Sequence, residues 1–197
     1  MSLNNKSQKR GTTLVEVIIV MSIMTMIIGL LYPIFTSGYR NLVKISLDSD
    51  LKSAGSTINK QLSEKLVQAT GILEINDFTS YDGAHLKNLF LNEQVLDVSR
   101  FKVKILKVDE NTDEYEFKLT DEYEKNGIKL YSLCLVNDGN SRVISKNVKS
   151  IKVESLESDI TLQDAESIKV TVELYDKKGL AESEYRISTI LTFRNRQ

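Results

Sequence analysis

Among the residues able to do chemistry, one carboxylate stands apart. Glu16 sits near the start of TTLVEVIIVMSIMTMIIGLLYPIF, a run of otherwise uncharged residues that begins at Thr12. A charge at bilayer depth costs about 2.5 kcal/mol or more, so Glu16 needs either an end-of-helix position or a partner cation. As an end residue it can snorkel to the interface and favour the positive N-terminus of a helix. As a paired residue it needs a cation about one helical turn away. A cut after Gly11 would provide one, the new amino group of Thr12, on the same chain or on a neighbouring one. An ionisable group in such a run is a functional-site hypothesis by default, and the paired reading is the one carried forward.

The remaining candidates have simpler readings. The single His85 lies in Asp82-Gly83-Ala84-His85, and no nucleophile motif surrounds any Ser, so it reads as a surface loop residue. A lone Cys134 cannot form an intrachain disulfide, and a lone His leaves no two-histidine metal site. Cys134 falls in LYSLCLV without basic neighbours, the setting of a small buried hydrophobe rather than an activated thiolate. Asp109, Asn111 and Asp113 alternate as in a calcium loop, but such a loop needs Gly at its sixth position and Glu at its twelfth, where this chain has Glu114 and Thr120. They are read as a solvated acidic turn, and no metal or cofactor is expected. None of the nine glycines forms a phosphate-cradling motif, and no enzymatic activity is expected. Arg100, Lys102 and Lys104 share one strand face and could meet phosphate. Without residues 1–11, however, the chain has 23 basic against 27 acidic side chains, a charge of −4. Such a domain exerts no general pull on DNA, so a nucleic-acid partner is not expected.

The element that must position Glu16 is a helix. Val17–Phe35 are 19 residues without a charge, roughly 28 Å of helix and close to the hydrocarbon thickness of a bilayer. A secretory signal peptide has a shorter apolar core and a small-x-small cleavage site; here the run continues into YPIFTSGYR without one. Lys6, Lys9 and Arg10 precede the span, against Arg40 and Lys44 just after it, which favours a cytoplasmic N-terminus.

The stretch Lys9-Arg10-Gly11-Thr12-Thr13-Leu14-Val15-Glu16 and the apolar residues behind it resemble the class III leader and N-terminus of type IV prepilins and pseudopilins. The resemblance covers about 24 of the 197 residues. It implies that a dedicated membrane peptidase cuts between Gly11 and Thr12 and methylates the new N-terminus. It makes Glu16 the glutamate that neutralises the amine of an adjacent subunit during assembly. Gly29 and Pro33 fall where many members of the family have a helix kink, as a Pro that removes one backbone bond would produce. Thr12 departs from the aromatic or large apolar residue usual at its position.

Beyond the span, Leu47, Leu51, Ala54, Ile58, Leu62 and Leu66 form one apolar stripe at spacings of four, three, four, four and four, with Asp48, Lys52, Asn59, Lys60 and Glu64 elsewhere. This predicts a helix packed on a sheet, continuing to Thr70 and ended by Gly71 as a left-handed cap. After Gly71 the period becomes two. Phe101, Val103 and Ile105 alternate with lysines, as do Tyr115, Phe117 and Leu119 with Glu116 and Lys118. Ile168, Val170, Val172 and Leu174 follow, then a loop at Asp176–Glu184, then Tyr185, Ile187, Leu191 and Phe193 on one face. Asn137-Asp138-Gly139-Asn140 predicts a hairpin turn. The 127 residues from Gly71 onward suffice for a core of their own. The C-terminal NVKSIKVES, SIKVTVEL and EYRISTILTFRN look like the end of J/W-type minor pilins and pseudopilins, which finish on paired strands and an Arg-Asn.

The expected fold class is α+β: a long N-terminal helix packed on an antiparallel β-sheet domain, pilin-like. The expected divisions are a leader at 1–11, a membrane-spanning or filament-core helix at 12–35, its amphipathic continuation at 36–70 and a β-rich domain at 71–197. The resemblance implies a minor pilin or pseudopilin of a pilus, secretion or competence system. Its partners would be other pilin-like subunits, the prepilin peptidase and an assembly platform membrane protein. It would start as a single-pass protein of the cytoplasmic membrane and end in a filament outside the cytoplasm. Two alternatives stay open: an uncleaved, membrane-anchored extracellular ligand-binding protein, and a membrane-tethered enzyme with an unfamiliar site.

Overall fold

The computed structural model describes residues 13–76, 78–79, 95–106, 112–156 and 167–193. The chain divides into two compact units, 1–42 and 43–197, and one helix, α1 (Leu14–Leu66), contributes to both. In the first unit α1 exposes its apolar residues all round, from Leu14 to Tyr39, and the most apolar stretch has no buried residue. Three of its hydroxyls are satisfied within the helix: Ser22 Oγ donates to the Ile18 carbonyl at 2.8 Å, Thr25 Oγ1 to Met21 at 2.8 Å and Thr36 Oγ1 to Tyr32 at 2.9 Å. With these hydroxyls turned back on its own carbonyls, the stretch from Val17 to Leu31 presents mainly carbon to its surroundings, which suits hydrocarbon. α1 continues through Pro33, which leaves the Gly29 carbonyl without the usual donor four residues on.

In the second unit α1 is amphipathic. Leu47, Leu51, Gly55, Ile58, Leu62 and Leu66 are buried, a stripe at spacings of three and four. Gly55, rather than Ala54, lies at its centre; Ala54 is half-buried beside it. The helix ends at Leu66, not Thr70, and Gly71 lies inside strand β1 (Ala69–Ile75) instead of capping the helix. Among the described residues the positive-φ glycines are elsewhere, at 127, 139 and 179. Ladder pairing explains the earlier stop: Ala69, Ile72 and Ile75 are buried as β1 pairs with β4 (Arg100–Leu106), and Gly71 sits beside a register shift in that pair.

The other strands are β2 (Phe78–Thr79), β3 (Val95–Asp97), β5 (Thr112–Lys125), β6 (Ile128–Asn137), β7 (Asn140–Ser155), β8 (Ser167–Lys178) and β9 (Ala181–Thr192). They form one antiparallel sheet in the order β2-β1-β4-β5-β6-β7-β8-β9. β3 pairs with the last part of β7 (Asp97↔Lys152), beyond the part that pairs with β6 (Val148↔Tyr131). Asn126-Gly127 and Asp138-Gly139 make two-residue turns with both residues at positive φ, which only the primed turn geometry requires. The turn at Asp138-Gly139 is the one the sequence predicts. The loop predicted at Asp176–Glu184 is not present. β8 and β9 remain paired through Asp176↔Ser183 to Lys178↔Ala181, because Gly179 at φ 62° lets the chain reverse in two residues.

The alternating strands face α1 as expected. Phe101, Val103, Phe117, Ile168, Val170, Val172 and Leu174 are all buried, and the Phe101 and Phe117 rings stack at 4.9 Å and 16°. Tyr185 and Ile187 are partly buried against the same core. Ser183 Oγ donates to Asp48 Oδ1 and Thr189 Oγ1 donates to Asn59 Oδ1 beside the stripe, so this part of α1 and β9 run in the same direction along one another.

Candidate functional site

The candidate site is the first turn of α1. Four backbone N–H groups at a helix start lack helical partners, and here two neighbouring side chains answer that need reciprocally. Thr13 is the N-cap: its carbonyl accepts from Val17 N–H at 3.3 Å, and its Oγ1 accepts from Glu16 N–H at 3.3 Å. Glu16 reaches back, and its Oε2 accepts from Thr13 N–H at 2.8 Å and from Thr13 Oγ1 at 3.1 Å. This is a capping box, whose Thr-x-x-Glu spacing stands in the sequence ahead of an apolar run. The reading above weighed Glu16 alone and passed over Thr13. Glu16 therefore lies in the first helical turn, as expected, with a defined local partner.

The geometry divides the carboxylate in two. Oε2 is committed to Thr13, whereas Oε1 has no partner among the described residues. A carboxylate held in this way can cap the helix and still accept from a cation arriving at its N-terminal side. Gly11 and Thr12 lie outside the described residues, and so does any contact between them and Glu16. Gly29 and Pro33 are further along the same apolar half of α1.

The other candidates do not converge on a site. His85, Asp109 and Asn111 lie outside the described residues, as does the terminal Arg194-Asn195. Asp113 is in β5, where its Oδ2 accepts from Tyr115 Oη at 3.5 Å. Among the described residues no group of three His, Cys, Asp or Glu side chains could hold a metal. Cys134 is buried, 3.1 Å from Thr120 Oγ1. The basic strand face is matched across the ladder. Lys102 pairs with Glu114 at 2.5 Å and Arg100 with Glu116 at 3.8 Å, and the bond to Glu114 raises the Lys102 pKa. A cavity of about 460 Å³ opens where β6 and β3 meet β7, lined by Val98, Leu119, Tyr131 and Ile151. The polar Asn76 and Ser99 at its rim are occupied with each other, Asn76 Oδ1 accepting from Ser99 N–H at 2.8 Å and from Ser99 Oγ at 2.9 Å.

Comparison with known families bears on the same turn of helix. Residues 6–32 match the prokaryotic N-terminal methylation motif. The match takes in Gly11, Thr12, Thr13, Glu16 and Gly29, stops one residue before Pro33 and does not reach the β-rich unit. It supports a type IV pilin-like precursor, for which an apolar N-terminal helix able to anchor the chain in a membrane is the fitting element. No curated protein and no solved structure matches the chain.

Proposed function

We propose that this chain is the precursor of a minor type IV pilin or pseudopilin, cut between Gly11 and Thr12, methylated on Thr12 and incorporated as a non-enzymatic filament subunit. The observation that carries the reading is the coincidence of the methylation motif at 6–32 with a carboxylate held at the first turn of an exposed apolar helix. Cleavage would leave a cationic amine one residue before Thr13, beside the turn where Glu16 keeps Oε1 available. In the bilayer an ionised Glu16 without a cation is costly. Leaving the bilayer for a filament then favours a neighbour that supplies the amine, which sets the register between subunits. The β-rich unit would face outward and meet other minor subunits.

Intact mass and N-terminal peptide mapping, with and without a prepilin peptidase, test the reading. The expected result is loss of residues 1–11 and a methylated Thr12. A chain that stays full length with active peptidase overturns it and favours the uncleaved, membrane-anchored extracellular ligand-binding protein.

A further inference from the structure

We propose that β9 is a strand acceptor: an uncharged, β-branched extended segment of another protein adds to its free edge and prolongs the antiparallel sheet through main-chain hydrogen bonds. Only residues of the second unit take part, so the contact depends neither on cleavage nor on a membrane.

The backbone of β9 provides the donors and acceptors. Among the described residues β9 is the last strand of the sheet and pairs with β8 alone. Lys178 and Ala181 flank a two-residue turn, and the pair beside such a turn exchanges both of its hydrogen bonds. The odd-numbered residues from Ala181 to Leu191 therefore bond to β8, while the even-numbered ones from Glu182 to Thr192 turn N–H and C=O to the free edge. This ladder has no register shift, whereas the β1–β4, β5–β6, β6–β7 and β7–β8 ladders all do. A long, regular edge is a template for a further strand.

The edge also lacks the usual protection. Sheet edges are ordinarily blunted by Pro, Lys, bulges or charges that overhang them. β9 has neither Pro nor Lys, and its charges are drawn back over the sheet. On the outer face Glu184 pairs with Lys149 of β7 at 2.6 Å and Arg186 with Glu173 of β8 at 2.7 Å. Glu182 accepts from Tyr175 Oη at 3.2 Å and stands 3.9 Å from Lys177, both on β8, and Ser188 Oγ lies 3.0 Å from Thr171 Oγ1. Each charged side chain of β9 thus has its partner on β7 or β8, while Ile190 stands 63% exposed. Such an edge asks of its partner an extended backbone and an apolar, β-branched side chain opposite Ile190, and no charge.

A second copy of this chain, pairing through its own β9, does not fit. α1 lies along β9, with Asp48 at Ser183, Asn59 at Thr189 and Gly55 against Tyr185 and Ile187. Two β9 edges joined antiparallel in one sheet would bring both helices to the same face about 5 Å apart, whereas packed helices need about 8–10 Å. A strand with no helix over it meets no such obstacle, which points to an extended segment of another protein. In function, the added strand would tie that partner to the β-rich unit by main-chain bonds, with Ile190 selecting among sequences.

The test uses the full chain in detergent and, as probe, a dye-labelled octapeptide of alternating Thr and Val with a soluble Gly-Ser tail, followed by fluorescence anisotropy. Saturable binding is expected below about 1 mM, with amide exchange slowed along 182–190 and not along β4. Methylating the central peptide nitrogens of the probe, which removes donors on both of its edges, should abolish binding. Ile190→Lys puts a charge on the open edge and should weaken binding about tenfold or more, while the exposed position leaves the melting temperature within about 2 °C of the parent. No saturation by about 1 mM, equal binding of the methylated probe, or unchanged binding by Ile190→Lys overturns the inference. A concentration-dependent dimer of the chain that Ile190→Lys dissolves overturns the choice of a strand from another protein.

Discussion

Gly55→Ala is a one-carbon test of how α1 meets the sheet. A Cβ added at Gly55 would stand 2.6 Å from Tyr185 Cε1, 2.8 Å from Ile187 Cδ1 and 3.0 Å from Ile187 Cγ1. Ordinary carbon contacts begin at about 3.5 Å, so the helix must lift or both β9 side chains must swing. Lifting is opposed by Leu51, Ile58 and Leu62, all buried on the same stripe. Overpacking of this kind costs about 1–3 kcal/mol, and the better helix propensity of Ala returns about 1 kcal/mol. The expected net loss is about 1 kcal/mol, or a fall in Tm of about 2–4 °C for a chain of this size. Thermal unfolding of the detergent-solubilised full chain, followed by circular dichroism, measures it. The decisive control is the same change in a Tyr185→Ala, Ile187→Ala background. There the obstruction is gone, so Gly55→Ala should stabilise. A variant at least as stable as the parent in the native background refutes the close-approach argument, as does a loss of the same size in both backgrounds.

Three further outcomes are expected. Glu16→Val should be cleaved normally yet co-purify poorly with assembled filaments. Glu16→Gln retains the capping geometry, which Glu and Gln both support, but not the charge. If Gln assembles as well as the parent, the role of Glu16 is the cap and the amine-pairing mechanism is wrong. Glu173 is buried on β8, and burial opposes its ionisation, but the bond from Ser150 and the charges of Lys152 and Arg186 outweigh that and hold its pKa below the ordinary glutamate value. A depressed carboxylate stabilises the fold above its unfolded pKa, and that contribution is lost as pH falls through the folded one. Glu173→Gln should therefore cost about 1 kcal/mol at neutral pH, and the gap from the parent should close below about pH 4.5; a gap independent of pH would contradict this. Phe117→Ala removes a fully buried ring stacked on Phe101 and should cost about 3–5 kcal/mol in the same melting assay; a cost below about 1 kcal/mol would mean that the stack is not part of the core.

Much of the fold was legible because burial imposes a period on neighbouring residues. The stripe from Leu47 to Leu66 and the alternation from Ile168 to Leu174 each mark a face that is buried in the structure, although in β8 the intervening Thr171 and Glu173 are buried as well, so that strand is not covered on one face alone. The two misreadings have different causes, a partner distant in the chain in one and a single backbone conformation in the other. Gly71 looks like a helix stop, but the pairing of Ala69 with Ile105 and of Ile75 with Phe101 draws that segment into a strand. Asp176–Glu184 is polar enough for a loop, but a single Gly179 at positive φ allows two strands to run through it. At the candidate site the oversight was of a different kind. Thr13 and Glu16 are three residues apart, and their reciprocal capping was readable; attention to the charge of Glu16 alone concealed it.

By itself the sequence determined the apolar run from Val17 to Phe35, the carboxylate set into its start, the leader-like residues ahead of it and the change from a helical to a two-residue period. These are local properties: each depends on residues a turn or a strand apart, and hydrophobicity with backbone geometry is enough to specify them. Tertiary structure alone decided that Gly55 rather than Ala54 lies at the centre of the helix–sheet contact, and that β3 pairs beyond β6 on β7. Each of these brings together residues tens of positions or more apart. Which distant surfaces meet follows from how the whole core closes, and no local pattern of residue types encodes that.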